Sequence, residues 1–366
     1  MSPSWYRDLY RIDSVQGVQA VLMRMGLAVG IPMVASVLLG HPGAAVVGGA
    51  TAQFVTLSDI GQSARTRMGT MFAAWVMILA GGTLGHVLGD TPYSREVVVL
   101  ACALLAGWAS GSHPGIAAVT RFFAIAAAAA TGMRFTDPDV LASVVAGGAT
   151  AFGAAFLVWK YFGLPPQENV MDWRAGVRRA FQGAGAGMRF AWCYAAAAAV
   201  ALFAASVLGV NDPYWATLVV LMVMRPEGVV SLELTIHYAL GTIAGVVAGA
   251  AILGFVHEPV ALAVLATLAA TFARVGFSIN PCFGYMSFTM FLPFAMHLSA
   301  TSAIPPHLFE TRLYDVSVGC ALALAGTLLG TYPVLHRRRV HHRLTDPPSN
   351  ELAVAQRSDR GRKVSK

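Results

Sequence analysis

Hydrophobic positions in this chain fall in long blocks rather than in alternation or one-sided stripes. Twelve apolar segments, at 18–39, 43–57, 67–88, 96–111, 114–133, 139–160, 190–209, 214–226, 237–254, 259–274, 278–299 and 313–335, are separated by short polar turns. Most approach the length an α-helix needs to cross about 30 Å of hydrocarbon. Each predicts a spanning helix. The second and eighth are short, which predicts helices that are shielded by their neighbours or broken. Pro32, Pro114, Pro281 and Pro293 lie within or at the edge of these segments, and 37 glycines allow kinks and close helix approach. The expected fold is all-α, a polytopic membrane protein with about twelve transmembrane helices.

A single offset relates the two ends of the chain. Sliding by 172 positions superposes Ala44 on Ala216, Gly69 and Thr70 on Gly241 and Thr242, Gly82 on Gly254, Phe122 on Phe294, Leu141 on Leu313 and Gly147 on Gly319. Single matches in a chain rich in Ala and Gly carry little weight, but one constant shift predicts two homologous six-helix halves. The divisions that follow are an interfacial segment at 1–17, a first repeat at 18–161, a linker at 162–188, a second repeat at 189–336 and a basic, disordered tail at 337–366.

Charge adds orientation. Hydrophobic residues make up 56% of the chain and charged ones only 12%, against about 25% charged in soluble domains. Nine of the 25 Lys and Arg lie between Arg337 and Lys366, and most others fall in short loops. That pattern reads as topology and excludes nucleic acid as the partner. With both termini cytoplasmic, the opposite face keeps only Arg95, Arg134 and Arg312. Six spans per half then make the repeats parallel, with a pathway expected between them. Residues 1–19 are polar and charged, which predicts no cleaved signal peptide. In the linker, Trp173, Val177 and Phe181 recur at helical spacing beside Arg174 and Arg178, predicting a surface helix in contact with anionic lipid. Cys102, Cys193, Cys282 and Cys320 sit singly in apolar stretches and predict buried thiols, not a metal site.

Three pieces carry a family resemblance: Asp212-Pro-Tyr-Trp-Ala216 with Arg225-Pro-Glu227, Leu240-Gly-Thr242 followed by small residues, and Arg312-x-x-Asp315 opening the last helix. They resemble the fusaric acid resistance family of membrane proteins, over residues 15–335. That family includes aromatic acid exporters and is distantly similar to plant aluminium-activated malate transporters. The resemblance implies an inner-membrane protein that moves small organic anions, aromatic carboxylic acids in particular. It brings no catalytic residue with it. Longer members carry a soluble insert between the halves, where this chain has only a short connection.

Ionisable groups inside a bilayer are costly, so each is a functional candidate. Arg121, beside Phe122 and Phe123, suits an aromatic carboxylate: the guanidinium grips the acid while the rings take the apolar body. An ion pair with a carboxylate from a neighbouring helix, or snorkelling to the cytoplasmic face, accounts for it more simply. Arg225 closes the eighth segment and aligns with Gln53 of the first half; it reads as an anion attractor or an interfacial anchor. Asn280 opens a helix break at which unwound backbone meets a ligand. Glu227, Asp315 and His297 are the proton-exchange candidates. Asp315 also stands three residues after Arg312, where the two can pair locally. Asp59 reads as a solvated loop residue, and Tyr214 and Trp215 as interface-belt aromatics.

No phosphate-binding loop, metal motif or nucleophile motif appears, so no cofactor and no enzymatic activity are expected. The reading is a proton-driven exporter of small organic anions. The alternatives are a passive anion channel and a non-transporting scaffold of an envelope assembly. Expected partners are the solute, membrane lipids, a periplasmic adaptor protein and further copies of the chain.

Overall fold

A computed structural model describes residues 17–89, 91–132, 135, 137–164, 173–182, 186–209, 213–299 and 308–345. The interfacial reading of residues 1–16 and the disordered reading of 346–366 lie outside the described residues. So do Arg134 and Asp212. Among the described residues the chain is α-helical throughout, in thirteen helices. They are α1 (Val18–Leu38), α2 (Pro42–Leu57), α3 (Ala64–Leu88), α4 (Pro92–Ala109), α5 (Pro114–Ala130), α6 (Pro138–Phe162), α7 (Trp173–Phe181), α8 (Met188–Val207), α9 (Tyr214–Val223), α10 (Gly228–Leu253), α11 (Pro259–Ile279), α12 (Pro281–Ser299) and α13 (Leu308–Thr345). Seven of these, α1, α3, α6, α8, α10, α11 and the stretch Thr311–Gly330 of α13, are long and apolar enough to cross a membrane by length and composition. α5 and α9 are shorter apolar helices.

Local chemistry explains the helix starts. Proline occupies the first turn of α2, α5, α6 and α11, where its missing N–H would have had no helical partner. Side chains also cap helix starts: the Thr66 N–H donates to Ser63 Oγ at 3.2 Å on α3, and on α5 the Gly115 N–H donates to His113 Nδ1 at 2.9 Å. α11 and α12 are separated by Asn280 alone, whose Oδ1 accepts from the Cys282 N–H at 2.8 Å. That contact gives Asn280 a capping role at the break. α10 starts at Gly228, nine residues before the apolar block predicted at 237, and α13 continues to Thr345.

Packing runs in matched pairs. α1 packs on α2 and α6, as α8 packs on α9 and α13; α3 packs on α5, as α10 does on α12. Between the two ends of the chain, α4 lies on α8 and α11 on α1, while α2 meets α12 and α5 meets α9. Small residues make the closest of these approaches. A Cβ at Gly81 or Gly85 would strike the carbonyl of Phe123 or Ala127. At Gly241 and Gly245 it would lie 2.6 and 2.5 Å from the carbonyl oxygens of Cys282 and Met286. α3 thus grips α5, and α10 grips α12, backbone to backbone.

The linker helix α7 docks on the corner between α4 and α5. His113 meets the Trp173 ring at 5.8 Å, and Trp108 meets Phe181 at 5.4 Å. Gly176 and Ala180 are its buried residues, so small side chains face the bundle. Phe181 remains 78% exposed despite its contact with Trp108.

Candidate functional site

α2, α5, α9 and α12, four of the helices that meet between the two ends of the chain, line a partly open cleft of about 120 Å³. α2 contributes Gln53 and Phe54, α5 Ile125 and Ala129, α9 Tyr214, Trp215 and Leu218, and α12 Phe288, Phe291 and Leu292. Tyr214 and Trp215 therefore line an internal surface instead of a lipid belt. The walls are apolar and aromatic, with few polar atoms, the usual make-up of a small-molecule site.

Arg121 lies one helical turn before Ile125, on the same face of α5, and Tyr285 precedes Phe288 likewise on α12. Neither lines the cleft itself; Phe122, next to Arg121, stacks on Phe54 beside Gln53, which puts Arg121 near that end. The Tyr194 hydroxyl of α8, fully buried, donates to the Leu221 carbonyl at 2.9 Å and feels the Arg121 charge. Arg121 Nε is buried with no hydrogen-bond partner. Arg225 follows the last turn of α9. Its Nη1 donates to the Met224 carbonyl at 3.1 Å and its backbone N–H to Ser231 Oγ at 3.3 Å. The Arg225 charge acts on Arg121, Tyr285 and Tyr194, and to a lesser degree on Glu227.

Two residues 104 positions apart in sequence, Arg121 and Arg225, thus share one half-buried environment. Among the described residues neither forms an ion pair with a carboxylate. Like charges repel strongly where water is excluded. An anion bridging the two would relieve that repulsion and satisfy the free Nε.

Toward the other end of the cleft stands a third arginine. The Arg312 guanidinium lies over the Trp215 ring, 4.4 Å from its centroid, and contacts the Tyr238 hydroxyl. Its Nε and Nη1 are buried without hydrogen-bond partners, and the residue is 9% exposed. The side chain turns to Trp215, not to Asp315 one turn later. Asp315 is buried and also acts on Tyr238. Tyr238 and Tyr285, with ring centroids 4.7 Å apart, connect this group to the arginine pair.

The other candidates fall elsewhere. Phe122 stacks on Phe54 at 4.8 Å and so reaches the cleft wall. Phe123, about 100° further round the helix, packs on α3 at Gly81. One helix face cannot present all three of residues 121–123. Glu227 precedes α10 and accepts no capping hydrogen bond. His297 stands beside His257, ring centroids 6.3 Å apart, and about 18 Å along α12 from Tyr285.

A separate charged cluster joins α1, the loop after α2, α3 and α11. Arg24 pairs with Asp59, which also lies 3.6 Å from Arg67; Arg24 Nη2 donates to the Thr56 carbonyl at 3.0 Å. Arg67 is fully buried and its Nε donates to the Gly61 carbonyl at 2.7 Å. Arg274 of α11 feels both Arg24 and Asp59. Asp59 is 9% exposed, so it is a buried ion-pair partner and not a solvated loop residue.

Sequence reasoning took Arg312 only as a local partner for Asp315, and passed over Tyr194, Tyr238 and Tyr285. A tyrosine inside an apolar block is the signal they offered, since a buried phenol needs a partner. That signal names no partner.

Residues 198–326 match the family model described as fusaric acid resistance protein-like, which supports the resemblance carried by the motifs. The match contains Arg225, Tyr238, Tyr285, Arg312 and Asp315. No curated protein and no solved structure matches the chain. Together with seven apolar helices, the match indicates a multi-pass membrane protein with a role in transport, and nothing in it points to an enzyme.

Proposed function

We propose that the chain is a proton-driven secondary exporter of small organic anions, aromatic carboxylic acids in particular. It would sit in the inner membrane with both termini cytoplasmic, as two parallel six-helix halves. The observation that carries this reading is the meeting of Arg121 and Arg225 at the end of an aromatic-walled cleft, with no carboxylate paired to either among the described residues.

Binding follows from the parts. The solute carboxylate takes the N–H groups of the two guanidinium ions, which hold it with planar, charge-assisted hydrogen bonds. Its ring extends along α5 and α12 into the space lined by Phe54, Ile125, Phe288 and Trp215. Tyr194 stands beside Arg121. Glu227, beside Arg225, and Asp315, beside Tyr238, are the groups that would exchange protons as the solute charge arrives and leaves. The recurrence of the same helix pairings among α1–α6 and α8–α13 supports movement of one half against the other around this cleft.

The test is efflux of benzoate from proteoliposomes with and without an imposed pH gradient. Gradient-dependent efflux that is lost in Arg121→Gln supports the exporter. Steady unitary currents in a planar bilayer, indifferent to the pH gradient, would replace it with a channel. Absence of any flux, with a periplasmic adaptor captured instead, would favour the scaffold.

A further inference from the structure

We infer that Arg312 is a second, weaker anion station at the Trp215 end of the same cleft, which the solute occupies after leaving Arg121 and Arg225. The inference rests on the anion-binding reading above and adds a step to it.

A buried cation normally spends its N–H groups on carbonyls or carboxylates. Arg312 leaves Nε and Nη1 without partners although the residue is 9% exposed. Its flat face is already committed to Trp215 at 4.4 Å. Its edge is therefore the part left for a ligand, and an edge with free N–H groups suits a carboxylate. Trp215 lines the cleft, so the ring that holds Arg312 is also a wall of the solute's path.

The two stations are spaced for a transfer. Trp215 lies in the first turn of α9 and Arg225 just past its last, about 15 Å apart along the axis. Tyr238 and Tyr285, ring centroids 4.7 Å apart, link the two groups, the first interacting with Arg312 and the second with Arg225 and Arg121. Their hydroxyls offer a moving carboxylate hydrogen bonds between one guanidinium and the next.

Local charge sets the order of affinity. Arg121 and Arg225 add two positive charges, and among the described residues Glu227 is the one carboxylate that acts on Arg225. Arg312 shares its surroundings with Asp315, which acts on the same Tyr238. The Asp315 charge offsets part of the attraction of Arg312, so a carboxylate is held less tightly there. A path that conducts requires a site weak enough to release its solute.

Calorimetric titration of the purified full-length protein in nanodiscs with benzoate tests this. The wild type is expected to show two binding steps, with the weaker one lost in Arg312→Gln and the tighter one retained within about twofold; efflux from proteoliposomes falls about tenfold. Arg312→Lys restores part of the efflux because the charge returns without the flat stacking face. Trp215→Leu, which removes the ring and keeps the charge, slows efflux by about threefold and guards against a folding defect in the glutamine variant. Persistence of the weaker step in Arg312→Gln overturns the inference. So does loss of both steps together, which would make the three arginines one site. If Arg121→Gln and Arg225→Gln also bind benzoate normally, the anion-site reading itself is what fails.

Discussion

Arg24 and Arg121 are both arginines in apolar helices, yet their surroundings differ in kind. Arg24 meets Asp59, which is also shared with the fully buried Arg67, and donates to the Thr56 carbonyl. Arg121 meets a tyrosine hydroxyl and a second arginine, and keeps an unpartnered Nε. The first cluster ties α1, α3 and α11 together with a carboxylate at its centre. The second leaves its positive charge unmatched beside a cleft. A charge matched within the protein belongs to the scaffold, and one left unmatched is reserved for something that arrives and leaves.

The largest effect expected from this contrast is functional. Arg121→Gln or Arg225→Gln should lower benzoate efflux by at least about a hundredfold, the size seen when one partner of a desolvated charge pair is removed. The folded protein should survive, because each change also removes a repulsion. Thermal unfolding in detergent, run beside the efflux assay, checks both halves of the claim. A marked loss of stability in Arg121→Gln would place that residue in the scaffold and erase the comparison.

The scaffold cluster should respond in the opposite way. Asp59→Asn leaves Arg24 and Arg67 facing each other without their carboxylate, and removing one partner of a buried pair costs about 3–5 kcal/mol. The expected outcome is a clear drop in the unfolding temperature, with efflux per folded molecule close to wild type. Full stability combined with lost transport in Asp59→Asn would make both clusters functional.

How far such a contrast is legible in the sequence varies with the feature. The helices were legible, because apolar block length and proline in the first turn are local properties: α2, α5 and α11 begin within a residue of the predicted segments. The early start of α10 was not. Glu233 and His237 break the apolar run there, but a helix tolerates them; the His237 ring contacts the Glu233 carbonyl one turn back, at 3.0 Å. Arg121 and Arg225 stood out as charges where charge is costly. Their meeting did not, since it depends on how α5 packs on α9. Arg312 and Asp315 show the limit of spacing rules, which bring two residues to one helix face but leave open what else reaches that face. Trp215, 97 positions earlier in the chain, takes the guanidinium instead.

The two regions can also be coupled through the helices that carry them. A Cβ at Gly85 would strike the Ala127 carbonyl, and backbone cannot swing aside as a side chain can. Gly85→Leu should therefore push α3 from α5 and cost about 1–3 kcal/mol, moving Arg121 with its helix. Transport should fall with stability, through position and not charge. Gly69, with nothing within 4 Å of a built Cβ, is the control: Gly69→Ala should be neutral or slightly stabilising. Equal damage from both would mean that the α3–α5 contact does not position Arg121.

The smallest expected effect concerns Gln53, which aligns with Arg225 at the 172-residue offset and lines the cleft. It is 1% exposed, and its Oε1 has no hydrogen-bond partner. A buried acceptor left empty costs about 1–3 kcal/mol. Gln53→Leu removes that cost at similar volume, so stability should rise or hold. If the amide also meets the solute, efflux should fall by about threefold, the loss of one neutral hydrogen bond. Stability gained with transport reduced would place Gln53 with Arg121 among groups kept unsatisfied for a ligand. Stability gained with transport untouched would place the unmatched polarity of the cleft in the arginines alone, and would confine the anion site to the α5 and α9 side.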